Sequence, residues 1–231
     1  ILSFALMGTL AFGSNVYAED SIRIVSWGGA YQKGQSIGIF QPAAKAMGIT
    51  VKEDTYGGIS DVKLMVKSGG DKFDMFSSGA GSCASGGAEG VLEKLDYSII
   101  DVSNHLPGTW SDYCAGADIF SVVAAWNTDT YGDNGPRSWA DFYDVEKFPG
   151  TRAMRSKVDA QLETALLADG VPMSEVYNVL STEEGMDRAL DKIRSIKDHI
   201  AVWWTSGAMH AQLMNDGEVD MTTGWNGRFD V

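Results

Sequence analysis

Four short clusters in this 231-residue chain set an aromatic or other large ring beside small, polar turn residues. They are Trp27-Gly28-Gly29-Ala30-Tyr31, Phe76-Ser77-Ser78-Gly79, Trp203-Trp204-Thr205-Ser206-Gly207 and Trp225-Asn226-Gly227-Arg228. Aromatic faces attract ammonium and guanidinium groups and bury planar or aliphatic ligands by area. Serine hydroxyls and turn amides then fix a ligand's orientation. The guanidinium of Arg228 adds a bidentate grip suited to carboxylate or phosphonate. The candidate binding set is therefore Trp27, Gly28, Tyr31, Ser77, Ser78, Trp204, Ser206 (or its neighbour Thr205), Trp225 and Arg228. Trp203 is read as core, because adjacent residues on a strand face opposite ways. Trp110, Trp126 and Trp139 are left as core or surface.

Enzyme chemistry has little to stand on. The chain has no Gly-x-Ser-x-Gly elbow and no His-Glu-x-x-His helix. Gly79-Ala80-Gly81-Ser82-Cys83-Ala84 is a weak echo of a dinucleotide-binding turn, and no cofactor or metal is expected. Cys83 and Cys114 fit one disulfide in an exported protein, closing a loop of about thirty residues worth roughly 3–4 kcal/mol. The rival use of either cysteine is as a nucleophile in an exported enzyme, which needs a free, low-pKa thiol. His105, His199 and His210 have no ligand-like spacing to them. The net charge of −13 is spread along the chain, which argues against nucleic acid as a partner.

The elements that must position these clusters alternate. A strand over 22–27 precedes a helix over 31–47, with Ile37, Phe40, Ala44 and Met47 at helical spacing. Gly48 stops that helix. A strand opens at Ile49, a helix follows over 59–68, and Phe73–Phe76 makes a third strand, giving a βαβαβ unit with a parallel sheet. A helix over 79–90 comes next, then a strand over 119–126. Ser138 starts a short helix, and helices over 159–169, 173–180 and 182–197 follow, with Ser174, Ser181 and Thr182 as candidate N-caps. A strand at 201–203, a helix at 206–215 and a strand at 219–222 complete the pattern. Each cluster falls at or just past the carboxyl end of a strand, the end that faces ligand in α/β folds. The rhythm predicts two α/β lobes, 19–127 and 128–231, with a hinge near 127–130 and the second lobe incomplete.

Residues 1–12 are apolar apart from Ser3, Gly8 and Thr9, and no charge precedes Glu19. That run is too short to span a membrane but suits a signal peptide's core, and Val16-Tyr17-Ala18 suits a cut after Ala18. A partial signal peptide over 1–18, and a chain truncated at both ends, are the expectation.

On these residues the chain resembles the periplasmic substrate-binding proteins of bacterial ABC importers, in the spermidine/putrescine branch. The resemblance rests on SWGGAY after the first strand, FDMFSSG, GVLEKLDYS, VVAAWNTD, SWADFYDVEKFPG and WWTSGAMHAQLMNDGEVDMTTGWNGR. It implies a type II-like two-lobed clamshell, a periplasmic location and monomeric action. One small solute, a polyamine or related amine, would be buried between Trp27 and Trp225 and passed to a membrane permease. Two departures count against a polyamine. Binders of that branch carry aspartate two residues after the first tryptophan, where this chain has Gly29, and three residues after the later one, where it has Arg228. Asp159 and Glu163 are read as surface carboxylates. If Arg228 faces the cleft, a zwitterionic or anionic amine compound becomes the expected solute. A sensor domain that reports its ligand to a membrane receptor shares every one of these features.

Overall fold

A computed structural model describes residues 20–229, which group into two compact units: 20–28 with 32–92, and 29–31 with 93–229. The signal peptide expected over 1–18 lies outside the described residues. Among the described residues no helix is long and apolar enough to cross a membrane.

The first unit is built on strand β1 (Ser21–Ser26), whose Ile24 and Val25 are buried. A continuous helical stretch follows: α1 (Gly29–Gln35), a π-helical turn (Ser36–Phe40) and α2 (Gln41–Met47), stopped by left-handed Gly48. Then come β2 (Thr50–Thr55), α3 (Ile59–Lys67), β3 (Met75–Phe76) and α4 (Ala80–Ala88). The sheet order is β2-β1-β3, with both pairings parallel. This is the βαβαβ arrangement expected from the alternation of β-prone runs and helical periodicity. The first three residues of α1 group with the second unit.

In the second unit a two-strand ribbon, β4 (Trp110–Ser111) and β5 (Cys114–Ala115), precedes β6 (Val122–Trp126). The helices α5 (Thr128–Tyr131) and α6 (Trp139–Tyr143) begin at Asn127 and Ser138, each of which caps with its side chain. Strand β7 (Arg152–Arg155) leads into α7 (Gln161–Ala168), α8 (Val176–Leu180) and α9 (Glu183–Arg194). Of the three expected caps in that region, Thr182 accepts from the Gly185 amide, whereas Ser174 lies inside a 3₁₀ turn and Ser181 follows α8. A cap of the Thr182 kind is worth about 1 kcal/mol. Last come β8 (Ile200–Trp204), α10 (Met209–Asn215) and β9 (Met221–Trp225).

The four-stranded sheet runs β6-β9-β7-β8, with β6 antiparallel to β9 and the other pairings parallel. The strand over 122–126, placed at the end of the first lobe by sequence, is thus hydrogen-bonded into the second unit's sheet, and the long stretch of that unit starts at 93. Alternation along β7 explains how the sheet is covered. Met154 joins a core of Phe142, Leu162, Leu166, Ile196 and Met221, while Ala153 joins Trp204, Leu213 and Val219. The central strands β7 and β9 are therefore covered on both faces, which suits a largely parallel sheet.

Arg152 anchors the start of β7 without any solvent exposure. Its guanidinium donates to the carbonyls of Phe142 (2.8 Å), Phe148 (2.7 Å) and Gly150 (2.9 Å). The turn between α6 and β7 is thereby wrapped around one planar cation. Cys83 and Cys114 are disulfide-bonded, so neither offers the thiol that a cysteine-nucleophile enzyme requires.

Candidate functional site

The carboxyl ends of the strands carry the candidate residues in both units. In the first unit, Trp27 follows β1 and is 41% exposed, with its ring 5.0 Å from that of Tyr56. Gly28 adopts φ 68° and ψ −175°, a conformation that only glycine enters freely. Gln35 ties the strand ends together. It accepts from the Ser26 hydroxyl at 2.5 Å and donates to the Ser77 hydroxyl at 3.1 Å. The Tyr56 hydroxyl donates to the Ser77 carbonyl, and burial pushes its pKa up to about 12. Ser77 and Ser78 are half-buried at the turn after β3. Trp27, Gly28, Ser77 and Ser78 thus sit on one framed set of strand ends.

In the second unit three parallel strands end in Arg155, Trp204 and Trp225. The Trp204 and Trp225 rings lie 5.3 Å apart at 69°, an edge-to-face pair. For Trp203 the structure differs from the expectation. Trp203, expected in the core, is 39% exposed, and Trp204 is 1% exposed. The reason is packing: Ala153 and Leu213 leave a space on the Trp204 face of the sheet that an indole fills. Ser206 is exposed in the turn that starts α10, where its carbonyl accepts from the Met209 amide.

Two glycines make the close approach possible. A Cβ on Gly207 would lie 2.9 Å from the Trp225 ring and 3.2 Å from Arg228 Nη2. One on Gly224 would lie 2.5 Å from Nδ1 of His210. His210 is fully buried between Trp204 (4.8 Å), Trp225 (5.6 Å) and Phe229 (4.9 Å), measured between ring centroids. Neither of its nitrogens has a hydrogen-bonding partner among the described residues. Desolvation, reinforced by the nearby Arg228 charge, lowers its pKa to about 4.

Two guanidiniums complete this end of the unit. Arg155 lies over the Trp225 ring, 4.9 Å from its centroid, and pairs with Asp159 at 2.9 Å. Arg228 lies 5.6 Å from the centroid of Tyr31, whose hydroxyl donates to Asp118 at 2.6 Å. Burial lowers the Arg228 pKa, and among the described residues no carboxylate is within ion-pairing distance of it. A Cβ on Gly29 would lie 3.1 Å from Arg228 Nη1, at a backbone φ of 60°. The two departures from the polyamine pattern are therefore linked: the guanidinium at 228 fills the space that a side chain at 29 would need.

Asp159, read from sequence as a surface carboxylate, is exposed but ion-paired with Arg155. Arg155, Gln161 and His210 were not anticipated. An arginine closing a β-strand reads in isolation as a solvated charge, and only the register Arg155↔Trp204 sets it among the aromatic residues. Among the described residues no group of His, Cys, Asp and Glu is arranged to hold a metal ion.

A family model for bacterial extracellular solute-binding proteins matches residues 38–231. The chain belongs to that family. Within it, the chain is 36% identical over 222 residues to the gamma-aminobutyric acid-binding protein of Pseudomonas aeruginosa, covering 95% of this chain and 62% of the relative. The crystal structure of the PBP MotA from A. tumefaciens B6 in complex with glucopine superposes with a TM-score of 0.88 at 42% identity, covering 91% of this chain and 65% of that one. The Atu4243-GABA receptor structure gives a TM-score of 0.79 at 34% identity, covering 91% and 64%. The chain thus spans somewhat less than two thirds of each of these relatives. The family is one of solute binders, and these neighbours carry the α/β periplasmic-binding-protein fold expected from sequence.

Proposed function

We propose that this chain belongs to the solute-capturing component of a bacterial ABC importer, working outside the cytoplasmic membrane as a monomer and delivering its solute to a permease. We infer further that the solute is an amino-acid-like compound bearing a carboxylate, and that Arg228 holds that carboxylate. The observation that carries the reading is the half-buried Arg228 guanidinium, set beside Gly207 and Trp225 with no carboxylate of the described residues to neutralise it. Each charge-assisted hydrogen bond from it to an anion is worth about 1.5–3 kcal/mol. A diamine meets the opposite field. One ammonium 4 Å from a guanidinium costs about 4 kcal/mol at an effective dielectric of 20. The names of the relatives, one binding gamma-aminobutyric acid and one crystallised with glucopine, support a carboxylate-bearing solute. Trp27, Gly28, Ser77 and Ser78 are proposed to contribute to capture, with Tyr31, Trp204, Ser206 and Trp225.

Calorimetric titration with γ-aminobutyrate, an opine and putrescine tests this. Binding of a carboxylate-bearing compound, lost by at least about tenfold in Arg228→Ala, is the expected result. Tight binding of putrescine that improves in Arg228→Ala would show the reading to be wrong.

A further inference from the structure

A recess beside the Arg155–Trp225 stack counts Arg155, Asp159, Ala160, Gln161, Trp204 and Trp225 among its lining residues. Its volume of about 10 Å³ is room for one water-sized group. Three of its lining residues carry a buried polar atom that has no hydrogen-bonding partner among the described residues. Gln161, 3% exposed, donates through Nε2 to the Thr223 hydroxyl at 3.5 Å and leaves Oε1 unpaired. Trp204, 1% exposed, leaves its indole N–H unpaired, and Arg155 leaves its Nε–H unpaired while Nη1 holds Asp159. Gln161 opens α7 directly after Ala160, whose φ of 63° makes it a left-handed non-glycine residue. Such conformations persist where the surrounding structure imposes them, and they cluster at binding sites. The twisted turn delivers the Gln161 amide to the recess.

We infer that this recess is a hydroxyl-binding subsite, so that the solute carries a hydroxyl group as well as its carboxylate. This rests on the carboxylate reading above and narrows it. The chemistry follows from the donor and acceptor set. Two N–H donors, the Gln161 amide carbonyl and the Asp159 carboxylate, itself held by Arg155, belong to the residues around a space for one small group. A hydroxyl donates to Gln161 Oε1 and accepts from Trp204 Nε1 or Arg155 Nε. A carboxylate oxygen only accepts and would face Gln161 Oε1. An ammonium only donates and would leave the Trp204 and Arg155 N–H groups unpaired. A methyl group would leave all three protein groups unpaired in a dry setting, the costly outcome for buried polar atoms. A water fills the same role when no solute is present, and the solute's hydroxyl replaces it.

The test is calorimetric titration of the protein with a matched pair: an amino acid carrying an N-deoxyhexityl arm, and its N-hexyl counterpart. The hydroxylated compound should bind at least about tenfold more tightly, and Gln161→Met should reduce that ratio to near one. Trp204→Phe, which keeps a ring but removes the indole N–H, should reduce it in the same direction. Circular dichroism would establish that each variant is folded, and the wild-type ratio needs no variant at all. Equal affinity for the pair in the wild-type protein overturns the inference, as does a preference that survives in a folded Gln161→Met. The recess would then hold only a structural water. If putrescine binds and neither member of the pair does, the carboxylate reading itself has failed.

Discussion

Acidifying the ligand-free protein from pH 7 to pH 4 should cost it stability, and one buried residue, His210, carries a separable share of that loss. Its imidazole is wholly buried among Trp204, Trp225 and Phe229, has no hydrogen-bonding partner among the described residues, and lies near the Arg228 charge. Its pKa in the folded protein is about 4, against an ordinary value of 6.5. Between those values the unfolded chain binds a proton that the folded chain refuses. Stability therefore falls as pH drops through that window and levels off, for this group, below about pH 4. The full gap corresponds to about 3 kcal/mol, a large fraction of a domain's stability. The assay is urea unfolding of the wild-type protein and of His210→Leu at several pH values from 7 to 4. Leucine has a similar volume and no nitrogen to leave unpaired, so at pH 7 the variant should be as stable or more stable. Subtracting the two curves removes the carboxylates common to both. The wild type should lose about 2–3 kcal/mol relative to the variant by pH 4. A difference that stays constant across the range would refute the argument, because the imidazole would then titrate in the fold as it does in the unfolded chain.

Three further outcomes follow from the structure. Arg152→Met leaves the Phe142, Phe148 and Gly150 carbonyls without their buried donor, so thermal unfolding should show a loss of about 3–5 kcal/mol. Arg152→Lys should recover only part, since an ammonium cannot span the same planar set of acceptors. Gly207→Ala places a methyl 2.9 Å from the Trp225 ring. Overpacking of about 1–3 kcal/mol, read by thermal unfolding, should be accompanied by altered tryptophan fluorescence and weaker solute binding. Replacing both Cys83 and Cys114 by serine should lower stability by roughly 3 kcal/mol, the entropy of a loop of about thirty residues. The wild type measured under full reduction should match that variant.

The local order of strands and helices was legible in the sequence because each element carries its own signal. Ile24 and Val25 run into a glycine turn, Gly48 supplies the left-handed stop of α2, and Thr182 caps α9 with its own side chain. The clustering of aromatic residues at strand carboxyl ends was legible for the same reason, since strand ends are marked by glycine and serine. Side-chain direction was another matter. Alternation says that Trp203 and Trp204 face opposite ways, but a sheet with a core cluster on each face gives no clue which of the two is buried; the space between Ala153 and Leu213 decides that. Arg155 and Gln161 reach Trp204 and Thr223 only through strand register and the strained turn at Ala160. Arg228 and Gly29 are far apart in the chain, and only folding makes one fill the space the other leaves. Local sequence determined which elements form and where they stop, because those energies act within a few residues. Which charges and hydrogen-bonding groups meet at the site was decided by the tertiary structure, because that depends on contacts between residues remote in sequence.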